Sequence, residues 1–156
     1  MTTFPPNNTQ RAEWLRVLAQ APAAELQRLA APVLAAQRFE WLRRPEAGLT
    51  MVRARIGHHG DRFNLGEATV TRCALRHGDG EHSVAGVGYV MGRDAQHAER
   101  VAQMDALLQR PELHAALWRD VVEPLRAQLQ HRHAAEQART DRSRVRFFTL
   151  QPDAGA

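Results

Sequence analysis

One segment carries the groups that a general base and its orienting carboxylates need. In GRDAQHAERVAQMD, residues 92–105, Asp94 and His97 stand three apart and Asp105 stands eleven beyond Asp94. At ~100° per residue, a helix makes Asp94 and His97 neighbours and returns Asp105 to within ~20° of the same stripe. Asp, His and Asp on one stripe suit a base held by a carboxylate, or a weak metal site. The plainer reading makes Asp94 an N-cap and His97 a helix-surface side chain.

A second set is Arg53, Arg55, Arg72 and Arg76. If 49–56 pairs with 67–76, two arginines from each strand share a face and can hold phosphate or a partner's carboxylates. Like charges opposite one another are unfavourable, so such a cluster needs an anion or an acid nearby, and Glu67 can serve. The plainer reading is a solvated sheet face. Glu67 itself follows Gly66 inside FNLGEATVTRC, residues 63–73. Glycine within a strand marks a bulge or a close backbone approach. The pair is an active-site corner, a bulge that shapes a partner surface, or a bend.

The remaining chemistry-bearing residues are weaker. His58-His59 falls in a turn and His131-x-His133 on a helix, and neither pair has the i, i+4 spacing that puts two ligands on one face. No metal site is expected. Cys73 is the one cysteine, so no internal disulfide can form; it reads as a buried thiol, with a lowered pKa beside Arg72 as the alternative. No phosphate-loop, CxxC or G-x-S-x-G pattern is present.

The elements that must position these residues follow from periodicity. The 156 residues suit one domain over 9–150, with 1–8 expected to be disordered and 151–156 a flexible tail. Residues 9–20 and 23–31 have helical spacing, with Pro32 expected to end the second helix. Phe39 and Trp41 alternate with Arg38 and Glu40 as in a strand, and RRPEAG (43–48) reads as a break. Strands are expected around 49–56, 67–76 and 84–91, separated by GHHGDR and HGDGEHS. Together these make an antiparallel meander of about four strands. Asp94 caps a helix of some fifteen residues, and Pro111 opens another. Pro124 should break or kink that one, because its ring clashes with the carbonyl four residues back. Residues 125–140 continue helically, and RVRFFTL (144–150) is β-prone, a candidate terminal edge strand. The class is α+β: N-terminal helices, the meander, C-terminal helices and a short last strand.

All 21 basic residues are arginine, yet the net charge is only +4 and no basic run marks a nucleic-acid arm. No signal-peptide pattern and no apolar run long enough to span a membrane is found. The expectation is a cytoplasmic protein with no nucleic-acid or membrane partner.

Several stretches together resemble the PhnG family, the small subunit of the carbon–phosphorus lyase system. They are WLRVLA, RPEAGLTMVRARIG, FNLGEATVTRCALR, GYVMGRDAQHAERVAQMDALLQ and SRVRFFTL, in the family's order. The resemblance covers roughly 10–110 and 143–150, while 111–142 matches loosely. The His58-His59 turn and the long HGDGEHSVAG connection depart from the family pattern.

The resemblance implies a subunit of a core complex with larger partners of the PhnH, PhnI and PhnJ families. That complex transfers ribose 5-triphosphate from ATP to an alkylphosphonate with release of adenine. A separate radical iron–sulfur subunit cleaves the carbon–phosphorus bond; one cysteine cannot hold such a cluster. The chain alone then binds no cofactor, ATP being a substrate of the complex, and is expected to be required but inactive alone. In this frame Phe147, Phe148 and Trp118 become partner contacts. Gly66-Glu67 becomes a bulge near a partner surface, with Glu67 tying an arginine. The bare interface of an isolated chain favours self-association. The competing readings are a transferase site built on Asp94, His97 and Asp105 with the arginines, and a free-standing nucleotide- or anion-binding domain.

Overall fold

A computed structural model describes residues 8–57 and 59–144. Two helices open the chain, α1 (Asn8–Gln20) and α2 (Ala23–Leu34). Three strands follow: β1 (Phe39–Arg55), β2 (Arg62–His77) and β3 (Val84–Met91). They form one antiparallel sheet in the order β1-β2-β3. Then come α3 (Ala95–Leu108), α4 (Pro111–Leu117), a π turn over Trp118–Val122, and α5 (Glu123–Arg142).

The expected α+β class stands, but with three strands among the described residues rather than four. RRPEAG does not break the chain. β1 runs through it, with register irregularities between Trp41 and Arg43 and between Arg43 and Glu46. Pro45 is tolerated because β1 is an edge strand, where a missing N–H costs no ladder bond. β2 likewise begins at Arg62 and takes in FNLGE. The expected terminal strand, 144–150, lies outside the described residues from 145 onward, as do Phe147, Phe148 and His58.

Pro32, expected to end its helix, is absorbed, while Pro124, expected to break or kink its helix, stands where the regular helix is interrupted by a π turn. Pro32 sits inside α2, which runs on to Leu34. Pro124 follows the π turn, where the Glu123 N–H reaches back five residues to the Trp118 carbonyl. The wider turn lets a helical run extend from Pro111 to Arg142 without a break.

Helix α3 packs across the sheet with α1 and α2 beside it, and the α4–α5 run closes the far side. Trp14, Leu18 and Leu26 from the first helices, Leu75 and Val90 from the sheet, Val101, Met104 and Leu107 from α3, and Val121, Val122 and Leu125 form one buried cluster. Close approach of α3 to β3 depends on two glycines. A Cβ on Gly86 would lie 2.0 Å from the Ala102 carbonyl oxygen, and one on Gly88 1.9 Å from that of Ala98. In β3 the small residues Gly86 and Gly88 therefore face the helix, with Val90 beside them, while Val87, Tyr89 and Met91 face outward. No helix among the described residues is long and apolar enough to cross a membrane.

Candidate functional site

The Asp-His-Asp stripe does not assemble. Asp94 is the N-cap of α3, and its Oδ1 accepts from the His97 backbone N–H at 2.8 Å, not from the imidazole. The His97 ring is buried, and its Nε2 meets the Leu18 carbonyl oxygen at 2.9 Å. A carbonyl only accepts, so Nε2 carries the proton and ties α3 to the end of α1. Asp105 shares the angular stripe with Asp94, but eleven residues at 1.5 Å rise separate the two by about 16 Å along the axis.

Asp105 has a different role. It is fully buried and accepts four donors. Arg11 Nε at 3.1 Å and Trp14 Nε1 at 2.9 Å reach Oδ1. Arg11 Nη2 at 2.7 Å and the Val87 N–H at 2.9 Å reach Oδ2. The carboxylate thus fastens α1, α3 and β3 together, and its lone-pair sites are filled. Nothing remains to take a proton from a substrate.

The four arginines divide into two separate pairs. Arg72 donates from Nε to Glu46 at 2.8 Å, and Glu46 also meets Arg43 at 3.2 Å. Arg76 bonds Glu40. Both lie on the sheet face away from α3, where Arg72 stands opposite Tyr89. Arg53 and Arg55 lie farther along β1, opposite Asn64 and Arg62. Arg62 thereby joins the second pair. Its place was hidden in the sequence, where β2 is expected to begin only at 67.

The bulge expected at Gly66 is present. Val52 pairs with Gly66 and Arg53 with Asn64, so Leu65 is the extra residue. Gly66 adopts φ +155°, open to glycine without strain. Glu67 does not tie an arginine: it stands exposed opposite Met51, with no ion pair among the described residues. Trp118 is half-buried against the core, with its ring centroid 5.9 Å from that of His114 and 6.0 Å from the Arg126 guanidinium carbon. Much of it is thereby committed within the chain.

A cleft of about 420 Å³ opens at the sheet end, lined by Arg38, Phe39, Glu40, Arg76, His77, Gly78 and Asp79. Its two arginines and two carboxylates balance, which disfavours an anion as occupant. Burial, then the Arg110 charge, hold His77 below the usual histidine range. Among the described residues no three His, Cys, Asp or Glu side chains are grouped to hold a metal ion.

Cys73 is buried on the α3 side of β2 opposite Gly88, and burial pushes its thiol up to about 11. The folded state therefore holds the proton that the unfolded chain releases near 9. This contribution is fully present below pH 9 and is lost as pH rises from 9 toward 11. In urea titrations the stability of the wild type should fall more steeply over that window than that of Cys73→Ala. Equal slopes would show a thiol in contact with water.

What the structure does leave open is surface. One sheet face is covered by helices, and among the described residues the other carries no layer, exposing Val87, Tyr89 and Met91. Before Val70, β2 has no β3 partner, and among the described residues β1 and β2 continue there as a two-stranded arm. Leu49, Met51, Ile56, Phe63 and Leu65 are exposed on it. Alternation in the sequence could not reveal these residues as surface, since it does not say which face receives a layer.

The described residues thus form a two-layer α+β domain with bare apolar surface, and the Asp94, His97 and Asp105 side chains do not meet. The family model described as "Phosphonate metabolism protein PhnG" matches residues 9–151, and the chain belongs to that family. It is 41% identical over 145 residues to "Alpha-D-ribose 1-methylphosphonate 5-triphosphate synthase subunit PhnG" of Rhizobium meliloti (strain 1021), covering 90% of this chain and 88% of that one.

Proposed function

We propose that this chain is a required, non-catalytic subunit of a carbon–phosphorus lyase core complex in the cytoplasm. There it supports transfer of ribose 5-triphosphate from ATP to an alkylphosphonate with release of adenine. Its partners are the larger subunits of the PhnH, PhnI and PhnJ families. The observation that carries this reading is the 41% identity, over nearly the whole chain, to a protein named as a subunit of that synthase. The saturated Asp105 and the committed His97 support a positioning role rather than a chemical one.

The test is adenine release from ATP and methylphosphonate. The assembled complex should turn over, the purified chain alone should not, and steady release by the chain alone would overturn the proposal. His97→Gln serves as the internal check. It should lower chain stability by about 1–2 kcal/mol through the lost buried hydrogen bond. Adenine release per assembled complex should stay at the wild-type value. A large loss of turnover with assembly intact would place His97 in the chemistry.

A further inference from the structure

We infer that the β1–β2 arm, residues 49–69, is a docking element that inserts into an apolar groove with an acidic rim on a larger partner subunit. This rests on the subunit reading above and names the surface it would use. The arm is built from Leu49–Arg55 paired with Arg62–Thr69, about 24 Å of two-stranded ribbon at ~3.4 Å per residue. An isolated two-stranded hairpin is marginal in water. This one also exposes large apolar side chains: Leu49 65%, Met51 50%, Phe63 41% and Leu65 64%. The Leu65 bulge interrupts the ladder, where a bulge bends its strand and increases the local twist. Burial of those side chains in a partner supplies the stabilisation that the ribbon lacks alone.

The charge pattern selects the partner. Arg53, Arg55 and Arg62 are exposed near the arm's end, and none has an ion pair among the described residues. Arg55 and Arg62 stand directly opposite each other, which is unfavourable without a counter-charge. Elsewhere on this sheet Arg72 is matched with Glu46 and Arg76 with Glu40, and Arg44 is a lone exception rather than part of a cluster. The arm's own Asp61 and Glu67 are exposed too, but neither forms an ion pair with these arginines among the described residues, so the three-arginine end fits carboxylates supplied from outside. A second copy of this chain is a poor occupant, because a twofold arm-to-arm contact brings the same arginines together. A free phosphate or nucleotide would use the arginines but leave the apolar residues in water.

The test uses the full-length chain co-expressed with the larger subunits of its complex. Association is read by light scattering on dilution and across a salt series. R53E/R55E/R62E should weaken assembly by about a hundredfold or more, and R53Q/R55Q/R62Q by less, with a flatter salt dependence. R139E/R142E, on the exposed end of α5, should assemble like wild type. Thermal melting of each isolated variant checks that the core is folded. If the wild type assembles and both arm variants assemble equally well, the arm inference is overturned and the subunit reading stands. If the wild type itself ignores the partners, both are overturned. If the arm variants assemble normally but the complex loses ATP binding, the arginines serve a small anion and the docking inference is overturned.

Discussion

Replacing Asp105 by alanine should destabilise the chain by about 3–5 kcal/mol, because the buried carboxylate holds the partly exposed Arg11 guanidinium and two further donors at once. The residue is fully buried, so water cannot take its place without opening the core. Its loss leaves the Arg11 guanidinium, the Trp14 indole N–H and the Val87 amide without their acceptor. Each unsatisfied buried donor adds its own desolvation cost. In a chain of this size the melting temperature should fall by about 6–20 °C. Asp105→Asn should also be costly. Both carboxylate oxygens accept two donors, so the amide NH₂ must face donors in either flip. Asp94→Ala should cost only about 1 kcal/mol, the usual value of an N-cap. Thermal melts of the three variants check the ranking. An Asp105→Ala protein that melts like wild type, yet whose complex is inactive, would give Asp105 a part in the chemistry.

The second large effect is steric. Gly88→Ala places a Cβ 1.9 Å from the Ala98 carbonyl oxygen and 3.1 Å from Cys73 Sγ. Because the nearest atom is helix backbone, no rotamer change relieves the clash. Helix α3 must shift away from the sheet, and the cluster built on Val101, Met104 and Leu107 moves with it. Overpacking ordinarily costs about 1–3 kcal/mol, and this case should reach about 3 kcal/mol or more. Gly86→Ala meets the Ala102 oxygen at 2.0 Å and should behave alike. Gly48→Ala is the control: nothing lies within 4 Å of its Cβ, so the change should stay within about 0.5 kcal/mol. Urea midpoints for the three variants decide the matter. A Gly88→Ala chain as stable as wild type would mean that α3 and β3 are not in close contact.

The contrast between these residues shows what a single sequence can convey. Helix α3 was legible because Asp94 caps it and its apolar residues recur at helical spacing. The same spacing misled at Asp105. Angular periodicity says which residues share a stripe, but not how far apart they lie along it, nor that Arg11, ninety-four positions away, would fill the carboxylate. In β3 the strand itself was visible, but not that the glycines would take the helix side. That choice belongs to the packing of Ala98 and Ala102. Pro45 read as a break because proline removes a donor, and only the edge position of β1 makes the loss harmless. Pro124 read as a break or kink because its ring clashes with the carbonyl four residues back, and the helix meets it with a π turn. The bulge at Gly66 was legible, since glycine inside a strand weakens the ladder and commonly sits where the pairing slips by one residue. The arm that it bends was not, because an unlayered ribbon and a buried strand share one pattern of alternation.

The most direct measurement is a light-scattering mass of the 17.5 kDa chain, expressed alone and then together with the larger subunits proposed as its partners. A stable complex several times the mass of the chain, formed only on co-expression, is the predicted result. A well-behaved monomer that ignores those subunits would contradict the account.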